Sequence, residues 1–309
     1  MSVKPPVEKY VIEDKEVYVV REDLLYPFPG PNNSKIVGIE GLLERLRGEG
    51  VKAIATQNTR ISRLGWGISY LCRKLDLKHY EFYPDAGKKG KPFYQRMSER
   101  FGAITVALRG THARIFNKAA EKWLKDHNIR AFFLPNALAL PERVEARIDT
   151  VNDLGLNEGT IVVPSSSGVI AASVIHALRV LGHKAVVYAI SSSFTPESRR
   201  RKIREYLAGC KRRPTSFGPT RFMVVSLNRK YGKPDNRPTP FPSDVYLDRA
   251  PFWWMVENYE LLPKPAYFWN VGGEWDPIKG LGKGLRGDGL VRVEDVAKYV
   301  EGDGYGEGG

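Results

Sequence analysis

Short apolar runs rich in β-branched residues alternate along this chain with longer segments of helical periodicity. Residues 17–20 and 160–163 have the composition of buried strands, and Val169–Leu181 carries apolar residues at helical spacing. Strands that alternate with helices are typical of βαβ units, which build parallel sheets. The alternation therefore predicts an α/β fold with parallel-rich, twisted sheets flanked by helices.

The length and residue usage narrow the class of protein further. A chain of 309 residues favours two lobes over one small core. Its two cysteines lack CxxC spacing and its five histidines lack ligand spacing, so neither a disulfide framework nor a metal site is predicted. No apolar run approaches the length of a membrane span, and the first residues lack the apolar stretch of a signal peptide. We therefore expect a cytoplasmic protein with no membrane partner.

The formal net charge of +13 is the unusual bulk property. Part of it lies in a run of basic residues that begins at Arg199 and ends at Arg213. Such a run is most often a solvated helix face, but it can also follow the phosphate backbone of a nucleic acid. Both interpretations stay open from the sequence.

Lys35 is the first candidate for chemistry. It follows a Pro/Gly/Asn-rich loop, PFPGPNNS, and helical spacing begins near it and runs to Leu46. A lysine amine in a partly desolvated position can form a Schiff base and carry a proton. The alternative is an ordinary surface lysine just inside a helix.

A second candidate is the turn PSSSG, which separates the strand at 160–163 from the helix Val169–Leu181. Backbone N–H groups at the start of a helix attract anions, and small residues let a phosphate approach the backbone. This pattern favours a phosphate site, although an ordinary βα turn has the same composition. The candidate phosphate ligands are Ser165, Ser166, Ser167 and Gly168.

The order of these segments resembles the fold-type II pyridoxal-phosphate-dependent enzymes, and among them the aminocyclopropane-carboxylate deaminase and D-cysteine desulfhydrase branch. The segment VVREDLLYPFPGPNNSKIVGIEGLL resembles the opening of that branch, with an Arg-acidic-Asp triplet before the cofactor lysine. AIATQNTRISRLGWGISYLCRKLDL resembles the next unit, and PSSSGVIAA takes the place of the phosphate loop. KYGKP, SDVYLDRAPFWWM and YFWNVGGEW resemble later segments near the substrate.

The resemblance implies that pyridoxal 5′-phosphate forms an internal aldimine with Lys35. It also implies that Asn58 bonds the 3′-oxygen of the cofactor and that Tyr231 acts as an acid/base or stacking group. Further residues implied are Asn270 and Gly272 for the cofactor, and Gln57, Thr59 and Arg60 for the substrate.

The resemblance also divides the chain. It implies a large cofactor-binding domain from residues 1–50 and 156–300 and a smaller α/β domain from residues 51–155. The Gly-rich residues 301–309 are expected to be disordered. Dimers are common in the family, so a homodimer is an expectation.

Several positions depart from the family pattern. Val169 replaces a threonine of the phosphate loop, and neither Val271 nor Lys230 provides an evident partner for a protonated pyridine nitrogen. The order Gln57-Asn58-Thr59-Arg60 differs from the Ser-Asn-His order that grips a substrate carboxylate, so recognition differs or involves Arg60. These departures place the usual substrates of the branch in doubt.

Three hypotheses for function remain. The leading one is a lyase- or deaminase-like enzyme that removes the Cα proton of a small amino acid or amine and eliminates a group. The second is a pyridoxal-phosphate enzyme that modifies an amine-bearing or amino-acid-bearing base in nucleic acid, as in hypermodified phage DNA. The third is a binding protein that keeps the fold without turnover.

Overall fold

The computed structural model describes residues 4–27, 30–85, 87, 90–109, 113–212, 214 and 221–273. The predicted tail at 301–309, the basic residue Arg213 and the part of the larger predicted domain beyond residue 273 lie outside the described residues. Domain boundaries at 50 and 155 stay a prediction. None of the helices in the described ranges combines the length and apolar composition of a membrane-spanning segment.

Helices follow strands through most of the described chain. In chain order the strands are β1 (Val7–Ile12), β2 (Lys15–Arg21), β3 (Ala53–Gln57), β4 (Lys78–Pro84), β5 (Ile104–Leu108), β6 (Phe132–Phe133), β7 (Thr160–Pro164), β8 (Val186–Ser191), β9 (Phe222–Ser226) and β10 (Ala266–Asn270). The α-helices are α1 (Glu40–Gly48), α2 (Leu64–Lys74), α3 (Phe93–Arg100), α4 (Ala113–Asp126), α5 (Pro141–Glu145), α6 (Ile148–Asp153), α7 (Val169–Leu181), α8 (Pro196–Ala208) and α9 (Arg249–Glu257).

The strands form two sheets. The larger has the order β1-β2-β10-β7-β8-β9, and the smaller has the order β5-β4-β3-β6. All neighbouring strands pair in parallel except β1 with β2, which form an antiparallel hairpin. The predicted fold class, parallel-rich sheets flanked by helices, is confirmed.

Two local features differ from the sequence prediction. The strand β1 was not predicted, because charged residues interrupt its alternation. The helix predicted to begin near Lys35 is instead a 3₁₀ turn, Ser34–Ile36, and α1 begins only at Glu40. Gly38 lies between them with φ of +80°, and a Cβ there would lie 2.4 Å from the Cβ of Ala146. A left-handed residue cannot continue a helix, so the chain turns before α1 starts.

Helix α7 packs against the strands β7 and β8 of the larger sheet. Residues 169–178 of α7 are buried, and they pack with α5, α6 and the strands β7 and β8. This burial fixes the start of α7 directly after the end of β7, at the turn that the sequence marks as a phosphate site. The carboxyl ends of parallel strands are where α/β proteins bind ligands.

Candidate active site

Lys35 lies in a turn that the end of β10 holds in place. The Asn33 side chain accepts a hydrogen bond from the Lys35 N–H at 2.8 Å, and Asn33 forms an isolated bridge with Gly272. The Ser34 N–H donates to the Val271 carbonyl at 2.9 Å. Two segments far apart in sequence therefore meet at the Lys35 turn, and one of them contains Gly272, a predicted cofactor residue.

Glu22, the acidic residue in the middle of the Arg-acidic-Asp triplet, helps to hold the Lys35 turn in place. Glu22 is fully buried and accepts hydrogen bonds from Arg147 Nε at 2.6 Å and Nη2 at 2.9 Å. Arg147 also donates to the Ser34 carbonyl at 3.2 Å, and Trp269 Nε1 donates to Glu22 at 2.7 Å. The triplet is thus part of the support for the Lys35 turn.

Two buried aspartates give Lys35 its electrostatic setting. Burial lowers the pKa of the Lys35 amine, while the charges of Asp244 and Asp248 oppose that effect. Asp244 and Asp248 are 3% and 1% exposed. An amine with a lowered pKa is neutral more often, which makes it a better nucleophile.

The aspartates lie at the start of α9 and are tied to the Gly272 backbone. The Asp248 carboxylate accepts from the Gly272 N–H at 2.7 Å, and the Asp244 N–H donates to the Gly272 carbonyl at 2.8 Å. Burial and the neighbouring Asp244 charge raise the pKa of Asp248 well above its usual range. Its Oδ1 atom is buried without a hydrogen-bond partner among the described residues. Asp248 can therefore hold a proton next to Lys35.

Sequence reasoning missed this pair. The signal was present, because two aspartates four residues apart precede an apolar helix in SDVYLDRAPFWWM. That spacing places side chains on one side of a helical turn. It did not reveal that the turn would be buried against Lys35.

Arg63 links the aspartates to the turn that contains Asn58. Its Nη2 lies 3.3 Å from the Asp244 carboxylate, and its Nη1 donates to the Asn32 carbonyl at 3.3 Å. Its Nε donates to the Tyr94 hydroxyl at 3.4 Å. The guanidinium is 3% exposed and its donors are taken by protein acceptors.

The predicted phosphate loop has the geometry of an anion site. Gly168 is the first cap residue of α7 with φ of +91°, and a Cβ there would lie 3.1 Å from Arg199 Cδ. Ser165 is 2% exposed, and its Oγ is buried with no hydrogen-bond partner in the described part of the chain. Ser166 and Ser167 are half-buried in the same turn. Serine hydroxyls and the start of a buried helix thus converge at this turn.

Arg199 supports the loop from behind. Its Nη1 donates to the Ser167 carbonyl at 2.6 Å, its side chain stacks 4.3 Å from the centre of the Phe194 ring, and it is 5% exposed. The sequence analysis placed Arg199 in a run of basic residues that could follow a nucleic-acid backbone. That prediction is wrong for Arg199, because its side chain is buried and its guanidinium bonds Ser167.

Asn58 ends a chain of buried hydrogen bonds in the smaller sheet. Its Nδ2 donates to Thr56 Oγ1 at 3.1 Å, and Thr56 bonds His79, which in turn bonds Ser69, both at 2.8 Å. Burial lowers the pKa of His79 to about 3, so the ring is neutral at neutral pH. The Oδ1 atom of Asn58 has no hydrogen-bond partner among the described residues.

Tyr231 lies at the rim of a cleft that includes the phosphate loop. The cleft is narrow and opens to solvent. Tyr231 is 47% exposed, with its ring centre 6.3 Å from that of Phe194. The cleft brings Tyr231 together with the predicted serines and with two lysines; its lining includes Ser165, Ser166, Lys230, Tyr231, Lys233 and Tyr246.

The three predicted substrate residues differ in their exposure and in their contacts. Gln57 ends β3 with its Oε1 buried and unpartnered, and Thr59 is exposed. Arg60 donates to the carbonyls of Pro84 at 3.4 Å and Gly90 at 2.7 Å. Its guanidinium therefore binds the protein, which leaves it less available for a substrate carboxylate.

The donor set fits a phosphate-bearing aldehyde such as pyridoxal 5′-phosphate. Asn270 is fully buried at the end of β10, donates to the Pro242 carbonyl at 2.9 Å, and has an Oδ1 atom without a hydrogen-bond partner among the described residues. Buried polar atoms without a partner are uncommon, and each calls for an explanation. Such atoms occur at several places in the described residues, and some belong to the Lys35 turn and the other predicted cofactor positions, namely Ser34, Asn58, Ser165, Asp248 and Asn270.

Comparison with known proteins supports this assignment. No protein-family model matches the chain. The glycyl-dTMP PLP-dependent decarboxylase of Pseudomonas phage M6 is 28% identical over 284 residues, which cover 86% of this chain and 98% of that protein.

The solved structures agree in fold. An ACC deaminase homologue superposes with a TM-score of 0.75 at 18% identity, over 88% of this chain and 90% of its own. A pyridoxal 5′-phosphate-dependent aspartate racemase superposes with a TM-score of 0.61 at 13% identity, over 90% of this chain and 92% of its own. The chain therefore has the architecture of the fold-type II pyridoxal-phosphate-dependent enzymes, the family that its motifs resemble.

Proposed function

We propose that this chain is a pyridoxal-phosphate-dependent decarboxylase that removes the carboxylate of an amino acid attached to a pyrimidine base in DNA. The observation that carries the proposal is the match to the phage glycyl-dTMP decarboxylase over 98% of that protein's length. It refines the second of the three sequence hypotheses and gives the bond that breaks.

The cofactor would be held by the residues that the sequence pattern predicts for it. Lys35 would bind it covalently through its partly desolvated amine, and Ser165–Gly168 with the start of α7 would bind its phosphate. Asn58 would bond the ring hydroxyl, and Asn270 lies at the end of β10 near Gly272. When bound, this cofactor accepts the electron pair of a bond broken at the substrate Cα.

The surrounding charges suit loss of a carboxylate. A lyase of the related branch holds the substrate carboxylate, whereas the guanidinium groups of Arg60 and Arg63 here bind protein acceptors. The buried carboxyl groups of Asp244 and Asp248 lie beside Lys35. The Asp244 carboxylate would repel a substrate carboxylate placed near it, and departure of that group as carbon dioxide would relieve the repulsion.

Proton return completes the reaction. The Cα–carboxylate bond breaks, carbon dioxide leaves, and Cα takes up one proton, so that an amino acid becomes an amine. Asp248 can hold that proton, because burial and Asp244 raise its pKa. The Lys35 amine is the second group that can carry it.

Surface charge supports a polynucleotide substrate over a free amino acid. Arg200, Arg201 and Arg204 share a surface groove on α8 with two glutamates, so the groove is basic on balance, and Lys230 and Lys233 lie at the cleft. The net charge of +13 would attract a phosphate backbone from a distance.

The test is a direct assay of purified protein loaded with pyridoxal 5′-phosphate. An oligonucleotide that carries glycyl-modified thymidylate should lose one carbon dioxide, detected by mass spectrometry, and the matching mononucleotide should react more slowly. The Lys35→Ala variant should lack both turnover and the visible absorbance band that borohydride abolishes. A bound cofactor without any carbon dioxide release would contradict the decarboxylase and leave the cofactor assignment intact.

The leading sequence hypothesis, elimination or deamination of a small amino acid, remains the second candidate. The fold match to an ACC deaminase homologue favours it, as does the position of Tyr231 at the cleft. Keto-acid or ammonia release from amino acids, with no carbon dioxide from the modified oligonucleotide, would support this candidate instead.

A further inference from the structure

A cluster of potential metal ligands lies outside the active site, between three helices. Glu145 ends α5, His176 lies in the middle of α7, and Cys210 follows the end of α8. One ligand atom from each residue lies within 4.8 Å of the other two. Within the described residues, these three side chains form the one group whose ligand atoms are spaced closely enough to hold a metal ion.

His176 provides a second observation, independent of the ligand spacing, that points to a bound ion. It is 3% exposed, and its Nε2 is buried without a hydrogen-bond partner among the described residues. Burial lowers the pKa of the ring, with the charges of Arg179 and Arg212 acting in the same direction and Glu145 opposing them. A neutral imidazole nitrogen in a protein interior is the form that binds a metal ion.

The other two ligands are held near it. Cys210 is 4% exposed, and its thiol donates to the Tyr206 carbonyl at 3.4 Å. One oxygen of Glu145 accepts the backbone N–H groups of Lys211 and Arg212, the latter at 3.0 Å. These bonds fix the carboxylate against the turn that carries Cys210.

We propose that Glu145, His176 and Cys210 bind a zinc ion. Ligand atoms at tetrahedral zinc lie about 3.5 Å apart, so small side-chain movements from the present separations would suffice. Zinc takes nitrogen, sulfur and carboxylate oxygen ligands, and this set supplies one of each.

Charge balance supports a divalent ion. On binding, the Cys210 thiol releases its proton, and the thiolate with the Glu145 carboxylate cancels the two charges of zinc. A water molecule would complete the tetrahedron, because the cluster provides three protein ligands.

The site would tie the end of α8 to α5 and α7. The beginning of the same helix carries Arg199, which supports the phosphate loop through Ser167. We therefore assign the ion a structural role, separate from the reaction at Lys35.

The first test is metal content. The full chain, purified from zinc-supplemented medium and dialysed, should retain about one zinc per chain. Cys210→Ser and His176→Gln should each lose most of it. Cys72→Ser is the matched control, because Cys72 is the other buried cysteine but packs in a separate core with α1, and it should retain the ion.

The second test is made on the wild-type chain, so its result does not depend on whether a variant folds. Cobalt added to the metal-free wild-type chain should give the absorbance of thiolate-bound tetrahedral cobalt, and zinc should abolish it. Zinc should also raise the melting temperature of the wild type. Wild-type protein that binds neither ion, or a Cys210→Ser variant that binds as much zinc as the wild type, would overturn the proposal. Neither result bears on decarboxylation.

Discussion

At the scale of single residues, the candidate site depends on groups held in unusual protonation states. Lys35 is moved toward its neutral form and Asp248 toward its protonated form, each chiefly by burial. Proton carriers with shifted pKa values cluster at functional sites. Lys35 and Asp248 are both shifted toward their neutral forms, whereas both members of an ordinary buried ion pair are charged.

Asp248→Asn tests the proton-holding role. Asparagine still offers an oxygen to the Gly272 N–H, but it cannot transfer a proton. We expect kcat to fall by about 10²-fold or more with a smaller change in KM, while the visible absorbance of the bound cofactor persists. Asp149→Asn, an exposed position on α6, is the control. Unchanged kcat in Asp248→Asn would remove Asp248 from the reaction.

Glu81 makes stability depend on pH. Burial raises its pKa to about 7 from 4.5, although Ser98, Gln95 and Asn58 act to lower it. Between those two values the folded chain binds a proton that the unfolded chain has lost, so Glu81 makes the free energy of unfolding decrease as pH rises.

Glu81→Gln should therefore be more stable than wild type at pH 8, by an amount on the order of 3 kcal/mol. The difference should vanish below pH 4.5, where both states of wild type hold the proton. Urea unfolding at several pH values measures this. A wild-type advantage at pH 8 would show that the Glu81 carboxylate is stabilised by partners in the folded state.

At the scale of secondary-structure elements, the start of α7 depends on Gly168. Its φ of +91° and the nearby atoms of Arg199 and Ile203 leave little room for a side chain. Gly168→Ala should weaken binding of pyridoxal 5′-phosphate and cost about 1–2 kcal/mol of stability. Cofactor titration followed by absorbance measures the first effect.

Gly48→Ala is the matched control, because no atom lies within 4 Å of an added Cβ in that part of α1. It should bind the cofactor as the wild type does. If Gly168→Ala also binds normally, the phosphate does not contact this turn closely.

The link between the Lys35 turn and α6 is the buried pair of Glu22 and Arg147. Arg147→Met would leave Glu22 buried without its charged partner, which costs about 3–5 kcal/mol. Arg45→Met removes a guanidinium from exposed pairs with Glu49 and Glu142, and it should cost about 1 kcal/mol or less. Chemical denaturation compares the two; equal losses would mean that the buried pair contributes no more than a surface pair.

At the scale of the whole molecule, the net charge of +13 and the surface arginines of α8 predict salt-dependent DNA binding. Replacing Arg200, Arg201 and Arg204 by glutamine should flatten the plot of log affinity against log salt by a slope of about 2 to 3. Fluorescence anisotropy with a labelled duplex measures it. Arg199 must be kept, because it supports the phosphate loop. A slope that the triple variant leaves unchanged would place the DNA contact elsewhere.

The sequence by itself determined the α/β class, the fold-type II resemblance, and the positions of Lys35 and the Ser165–Gly168 turn. Those features are local, because strand and helix periodicity and turn composition are written in consecutive residues. The structure confirms the fold, while the roles of the site residues stay proposals.

Only the tertiary structure decided which distant side chains share a site. Asp244 and Asp248 are ordinary polar residues in sequence, but the fold buries both beside Lys35, where burial and the Asp244 charge raise the pKa of Asp248. Arg199 looked like one of a row of surface charges until the packing of α8 turned it inward to Ser167. Burial and long-range pairing arise from how the elements pack, and no stretch of consecutive residues encodes them.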